Sequence, residues 1–161
     1  MYAKYQDFID ILKIAIPIYK QDMSKGYIKE IIVRTIRMAE SLSPLDVSKA
    51  AQETADLMNI GSLYQYNWLD QKKKNRMKDF DRSIFHWEHY TPIQQTLNEL
   101  ISLDLLTDDE IYNIIKKAKI CWILKKENKK LDRIAKSKRP NPEETYKKAG
   151  IILLGEKHKN K

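Results

Sequence analysis

Three histidines are the side chains with an ordinary pKa near neutrality, and two of them fall close together in His86-Trp87-Glu88-His89-Tyr90-Thr91-Pro92. The stretch Ser83–Tyr90 is short, aromatic and β-branched, which predicts a strand. Residues two apart on a strand share a face, so His86 and Glu88 point one way and Trp87 and His89 the other. A chain that turns at the strand end, as Pro92 favours, can bring the Glu88 carboxylate and the His89 imidazole to a common cavity. His158 lies in a polar tail and reads as solvated. Cys121 is the only cysteine. It excludes an internal disulfide and a cysteine-based zinc site, and it lies in the apolar run Ile120-Cys121-Trp122-Ile123-Leu124, where packing is its expected role. There is no glycine-rich phosphate loop and no internal repeat.

Charge supplies the second class of candidates. The chain of 161 residues carries 30 Lys+Arg against 22 Asp+Glu, a net +8. Residues 1–60 hold 8 of each, whereas 61–161 hold 22 basic and 14 acidic residues. Within that half, 116–139 holds 11 basic and 2 acidic residues, and 72–82 holds 6 and 2. Uneven charge of this kind predicts a neutral scaffold followed by a surface that meets an anion, nucleic acid first. The candidate phosphate-contacting residues are Lys72, Lys73, Lys74, Arg76, Arg82, Lys125, Lys126, Lys129, Lys130, Arg133, Lys136, Lys138 and Arg139. Aromatic residues 64–68 sit just before the first cluster, where they either pack inward or stack on bases.

Glu88-His89-Tyr90-Thr91-Pro92 resembles the Asp-His-hydrophobic-x-Pro signature of HNH nucleases, in the His-Me finger (ββα-metal) superfamily. Residues 120–131 are similar to the strand and helix that close that motif, with Asn128 at the position of a metal-binding Asn or His. The likeness spans about residues 83–135. It implies a metal-dependent endonuclease hydrolysing phosphodiester bonds in DNA. His89 would then be the general base, and Glu88 and Asn128 would hold Mg²⁺ or another divalent cation through oxygen. The sequence departs from the motif in its spacing: His89 and Asn128 stand 39 positions apart, with two predicted helices between them. The middle asparagine has no clear match. Arg82 and His89 also have the spacing of HEPN ribonucleases, but those require a helix over 82–89, which Thr91-Pro92 and the composition oppose. The rival functions are a non-catalytic nucleic-acid-binding protein and a small interaction or inhibitor factor whose basic face meets an acidic protein. DNA stands ahead of RNA as the partner.

Apolar residues make up 42% and charged residues 32% of the chain, a charged globular composition beside the usual values of about 45–50% and 25%. Stripes at 3.6-residue spacing predict helices over Tyr5–Ile16, ended or kinked by Pro17, and over Ile28–Ala39. A third helix is predicted from Ser43 as N-cap, with Pro44 in its first turn and Asp46 close behind. One long helix is predicted from Ser62 through the lysine run to Met77-Lys78. Thr91-Pro92 opens a helix, and Thr107-Asp108-Asp109-Glu110 has capping-box spacing and opens another. Ile120–Leu124 predicts a second strand, Glu127–Lys136 a basic helix, Asn141-Pro142 a last short helix, and Ile151–Leu154 a third strand. The fold class is α+β and predominantly α-helical: an N-terminal helical bundle, then a small two- or three-stranded sheet with packed helices. A single domain over 1–161 is expected, comprising a neutral scaffold (1–61), a basic functional half (62–155) and a polar tail (156–161). No apolar run approaches the ~20 residues of a membrane span and no signal core is present, so a cytoplasmic protein without membrane contact is expected.

Overall fold

The computed structural model describes residues 3–42, 45–73, 76–135 and 138–155. The chain forms two compact units, each made of two segments: Met1–Ser43 with Thr91–Lys119, and Pro44–Tyr90 with Ile120–Lys161. The protein is α+β and predominantly helical, and no described helix is long and apolar enough to cross a membrane.

The first unit is helical: α1 (Gln6–Gln21), α2 (Gly26–Glu40), α4 (Ile93–Ser102) and α5 (Asp108–Ile115). Each buries one apolar stripe, and Ile9, Leu12, Ile16, Ile32, Ile36, Leu97, Leu100, Ile111 and Ile115 form its solvent-free core. Residues at i, i+3 and i+4 fall on one helical face, which is why the spacing alone marks these segments. Ile31, within the apolar stripe predicted over Ile28–Ala39, is exposed. Pro17 lies inside α1, which continues to Gln21. The ring removes one backbone donor, and burial of Ile16 and Tyr19 on either side keeps the helix intact. The capping box at Thr107 and Glu110 has both of its hydrogen bonds.

The second unit is built on a three-stranded mixed sheet of order β1-β3-β2. Its strands are β1 (Leu45–Val47), β2 (Phe85–His89) and β3 (Ile120–Leu124). The central strand β3 is buried along its whole length, as an apolar run with neighbours on both edges should be. It pairs in parallel with β1 and antiparallel with β2, with Glu88 opposite Cys121 and His89 opposite Ile120. One sheet face carries Val47, Phe85, Trp122 and Leu124 and packs on Ala51 and Ala55 of α3 (Lys49–Leu57), together with Leu63 and Met77. Trp122 meets Trp87 edge-on, with ring centroids 4.7 Å apart. The other face carries Cys121 and Ile123 against Leu131 of α6 (Lys125–Ala135) and Tyr146 of α7 (Pro142–Lys148).

Three expected elements fall differently. Residues 45–47 form a strand and not the start of a helix. Ser48 caps α3 in place of Ser43, accepting the Ala51 N–H, while Ser43 and Pro44 lie outside the described residues. The segment from Ser62 holds two short 3-10 turns, Leu63–Gln65 and Asp70–Lys72, where one long helix was expected. A carboxylate competes there for a backbone donor: Asp70 takes the Asn67 N–H, and just past the segment Asp79 takes those of Ile84 and Phe85 at the start of β2. Residues 151–154 add no full strand. Leu153 makes one bridge with Ser48, because Gly150 in the left-handed region turns the chain directly off α7.

Folding also sharpens the charge division. The first unit contains 10 basic and 10 acidic residues, and the second contains 20 and 12, so the whole +8 belongs to the sheet unit.

The buried Ser48 hydroxyl joins three elements of this unit. It receives the Ala51 N–H at 3.1 Å and donates to Glu127 Oε2 at 2.6 Å. Ser48→Ala is expected to lower unfolding free energy by about 1–3 kcal/mol, the cost of a lost cap and an underserved carboxylate. Urea denaturation reads it, and an unchanged midpoint would remove Ser48 from this role.

Candidate functional site

Alternation along β2 turns His86 and Glu88 away from the Trp122 face, as expected. Glu88 is buried, and both its carboxylate oxygens are engaged. Oε2 lies 2.9 Å from His86 Nε2, and Oε1 accepts Arg139 Nη1 at 2.5 Å. The same nitrogen donates to the His89 carbonyl at 3.1 Å, and Arg139 Nε donates to the Ala135 carbonyl at 3.2 Å. Burial pushes the Glu88 carboxyl up, but the His86 hydrogen bond and the Arg139 charge together outweigh it, leaving it below the usual glutamate range. Arg139, only 2% exposed, therefore closes the end of α6 onto β2. It was expected on a nucleic-acid surface, and its burial removes it from any such contact.

Strand, strand and helix follow in the order that the HNH resemblance implies, with β2 and β3 antiparallel and α6 next. The long gap between His89 and Asn128 is filled by α4 and α5, which belong to the other unit. The donor groups are engaged elsewhere, however. Asn128 lies in the opening turns of α6 and donates to Asp132 at 3.3 Å. Ala135, which contacts Arg139 beside Glu88 and His89, is seven residues further on, about 10 Å along the helix at 1.5 Å per residue. A guanidinium already lies on the Glu88 oxygen that a cation would need. Among the described residues no group of three His, Cys, Asp or Glu side chains could hold a metal ion. The residues present do not fit a divalent cation, and no hydrolytic step follows from them.

The basic candidates divide by what holds them. Lys126, Lys129, Lys130 and Arg133 are exposed on α6. Their spacing places all four on one side of the helix, away from buried Glu127 and Leu131. None of the four has an acidic partner among the described residues. Glu127 fixes this helix: it sits at the third helical position, and its Oε2 accepts the Leu124 N–H at 2.8 Å as well as the Ser48 hydroxyl. The Leu124 bond is half of a capping box, and the same carboxylate oxygen is held from outside the helix by the Ser48 hydroxyl. Lys125 is half-buried and Lys138 exposed.

The second basic cluster is more committed. Lys73 and Arg76 pair with the buried Asp70 at 3.3 and 2.6 Å, while Lys72 is exposed over the Trp68 ring. Arg82 is half-buried against the same indole. Lys74 and Lys136 lie outside the described residues, as does His158. Of the aromatics before the lysine run, Tyr64 and Tyr66 pack against the core beside Leu63, and Trp68 stays exposed. Sequence reasoning did not find Glu127 or Arg139 as anchors; an acid three residues into a helix is a signal for the first, and nothing local signals the second.

Arg139→Ala strands a buried carboxylate and is expected to cost about 3–5 kcal/mol near neutral pH. Glu88 is lowered in the folded state, so its contribution is complete above the ordinary value of 4.5 and is lost as pH falls through the lowered value. The gap between wild type and variant should therefore narrow in acid. A gap independent of pH, followed by chemical denaturation, would contradict the pairing.

No family model, no curated protein and no solved structure matches this chain.

Proposed function

We propose that this protein binds nucleic acid without cleaving it, using the exposed face of α6 as its backbone-contacting surface. The observation that carries this is the stripe Lys126, Lys129, Lys130 and Arg133. These four cations share one side of a helix whose other side is clamped by Glu127, and none is neutralised by a carboxylate among the described residues. Cations on a fixed helix meet phosphates with little ordering cost. Each neutralised phosphate releases condensed counterions, which makes affinity fall steeply with salt. DNA is the reference ligand. Metal-dependent hydrolysis has no support in the donor set, because Arg139 and His86 take up the Glu88 carboxylate.

Fluorescence anisotropy with a labelled DNA duplex, from low to moderate salt, tests this directly. Replacing the four cations by alanine is expected to weaken binding at every salt concentration and to flatten the log–log salt slope by about 3.6, at about 0.9 per lost contact. An unchanged slope would take α6 out of the interface. Duplex cleavage with Mg²⁺ or Mn²⁺ that disappears in His89→Ala would restore the nuclease interpretation. Failure to bind any nucleic acid at low salt would favour an acidic protein partner.

A further inference from the structure

The loop between the 3-10 turn at Asp70–Lys72 and β2 gathers several unusual features around one exposed ring. Trp68 is 41% exposed. Lys72 Nζ lies 5.4 Å from its ring centroid and the Arg82 guanidinium 4.4 Å. Arg82 has a backbone φ of 56°, in the left-handed region that non-glycine residues avoid. Its Nε and Nη2 are buried without a hydrogen-bond partner, the guanidinium lying against the indole instead. Strain and unmade hydrogen bonds on a single residue are a recognised mark of a functional position.

This arrangement is braced from beneath. The buried Asp79 carboxylate accepts from Gln71 Nε2 and from the Ile84 and Phe85 N–H groups, while the Asp79 carbonyl accepts the Arg82 N–H. The buried Asp70 carboxylate accepts the Asn67 N–H next to Trp68. Both residues of the stack are therefore tied to the core through an adjoining aspartate. Among the described residues of this segment, Lys73 and Arg76 share Asp70 and Lys78 donates to the Met58 carbonyl, whereas Lys72 and Arg82 lie against the Trp68 ring.

We infer that Trp68, Lys72 and Arg82 form a site for an unpaired nucleotide, its base stacked on the open face of the indole and its phosphate on Lys72, with the Arg82 guanidinium backing the ring. This rests on the nucleic-acid reading of α6 and adds a preference for single-stranded segments. An indole face and a guanidinium plane both stack on bases whatever the sequence. A base inside a duplex cannot reach such a platform. An acidic peptide would use the cations but gain little from the ring.

The test compares binding of an oligothymidylate of about 12 nucleotides with binding of a duplex, using the full chain. Trp68→Ala should weaken single-strand binding about tenfold, while duplex affinity changes by less than about twofold. Trp68→Phe should recover most of the loss, and duplex affinity, which needs the folded chain, serves as the control for folding. Arg82→Gly, which accepts the left-handed backbone without strain, should likewise lose the single-strand preference. Equal effects on both ligands, or none, would overturn the platform and leave the α6 proposal standing. Absence of all binding by the wild type would overturn both. Displacement by polyglutamate, with the same sensitivity to Trp68→Ala, would reassign the site to an acidic peptide.

Discussion

A buried carboxylate holds the sheet unit in register. Glu127 sits at the third position of α6, and one of its oxygens accepts both the Leu124 N–H, where β3 ends, and the Ser48 hydroxyl, where α3 begins. A buried carboxylate is tolerable only where it finds hydrogen-bond partners, and here they come from the end of β3 and the start of α3. The geometry of the basic face is a consequence. A helix fixed by its first turn and by Leu131 presents Lys126, Lys129, Lys130 and Arg133 in one orientation. A second buried carboxylate, Glu88, secures the other end of α6 through Arg139.

Charge follows the same division of labour. The all-helical unit has no net charge and a core of isoleucine and leucine, while the sheet unit carries the entire excess of cations. Several of those cations are spent internally: Arg139 on Glu88, and Lys73 and Arg76 on Asp70. Among the described residues of this unit, what remains outside includes the α6 stripe together with Lys72, Lys78, Lys138 and Lys147. Counting basic residues therefore overstates the surface available to an anion, and the structure says which ones to subtract.

Where local chemistry decides an element, the sequence is readable. Thr107 with Glu110, Asn141 with Pro142, and the apolar run Ile120–Leu124 each announce a helix start or a buried strand, and each is found. Ser43-Pro44 looked equally clear, yet Leu45–Val47 gains more by pairing with β3, and Ser48 is the cap. The segment after Ser62 has helical spacing, but the Asp70 carboxylate takes the Asn67 N–H, and Asp79 just beyond it ties the chain to the start of β2, an effect of carboxylates that find their partners only once the loop closes. The candidate site was partly legible. The shared face of His86 and Glu88 follows from strand alternation. That Arg139, fifty-one residues away, would occupy the carboxylate cannot be inferred from any local pattern.

The most direct measurement is the salt dependence of DNA binding by the unmodified chain. If the α6 stripe meets phosphates as described, log affinity should fall with log salt at a slope of about −3 or steeper for B-form DNA. A slope near zero, or no binding even at the lowest salt, would contradict the account.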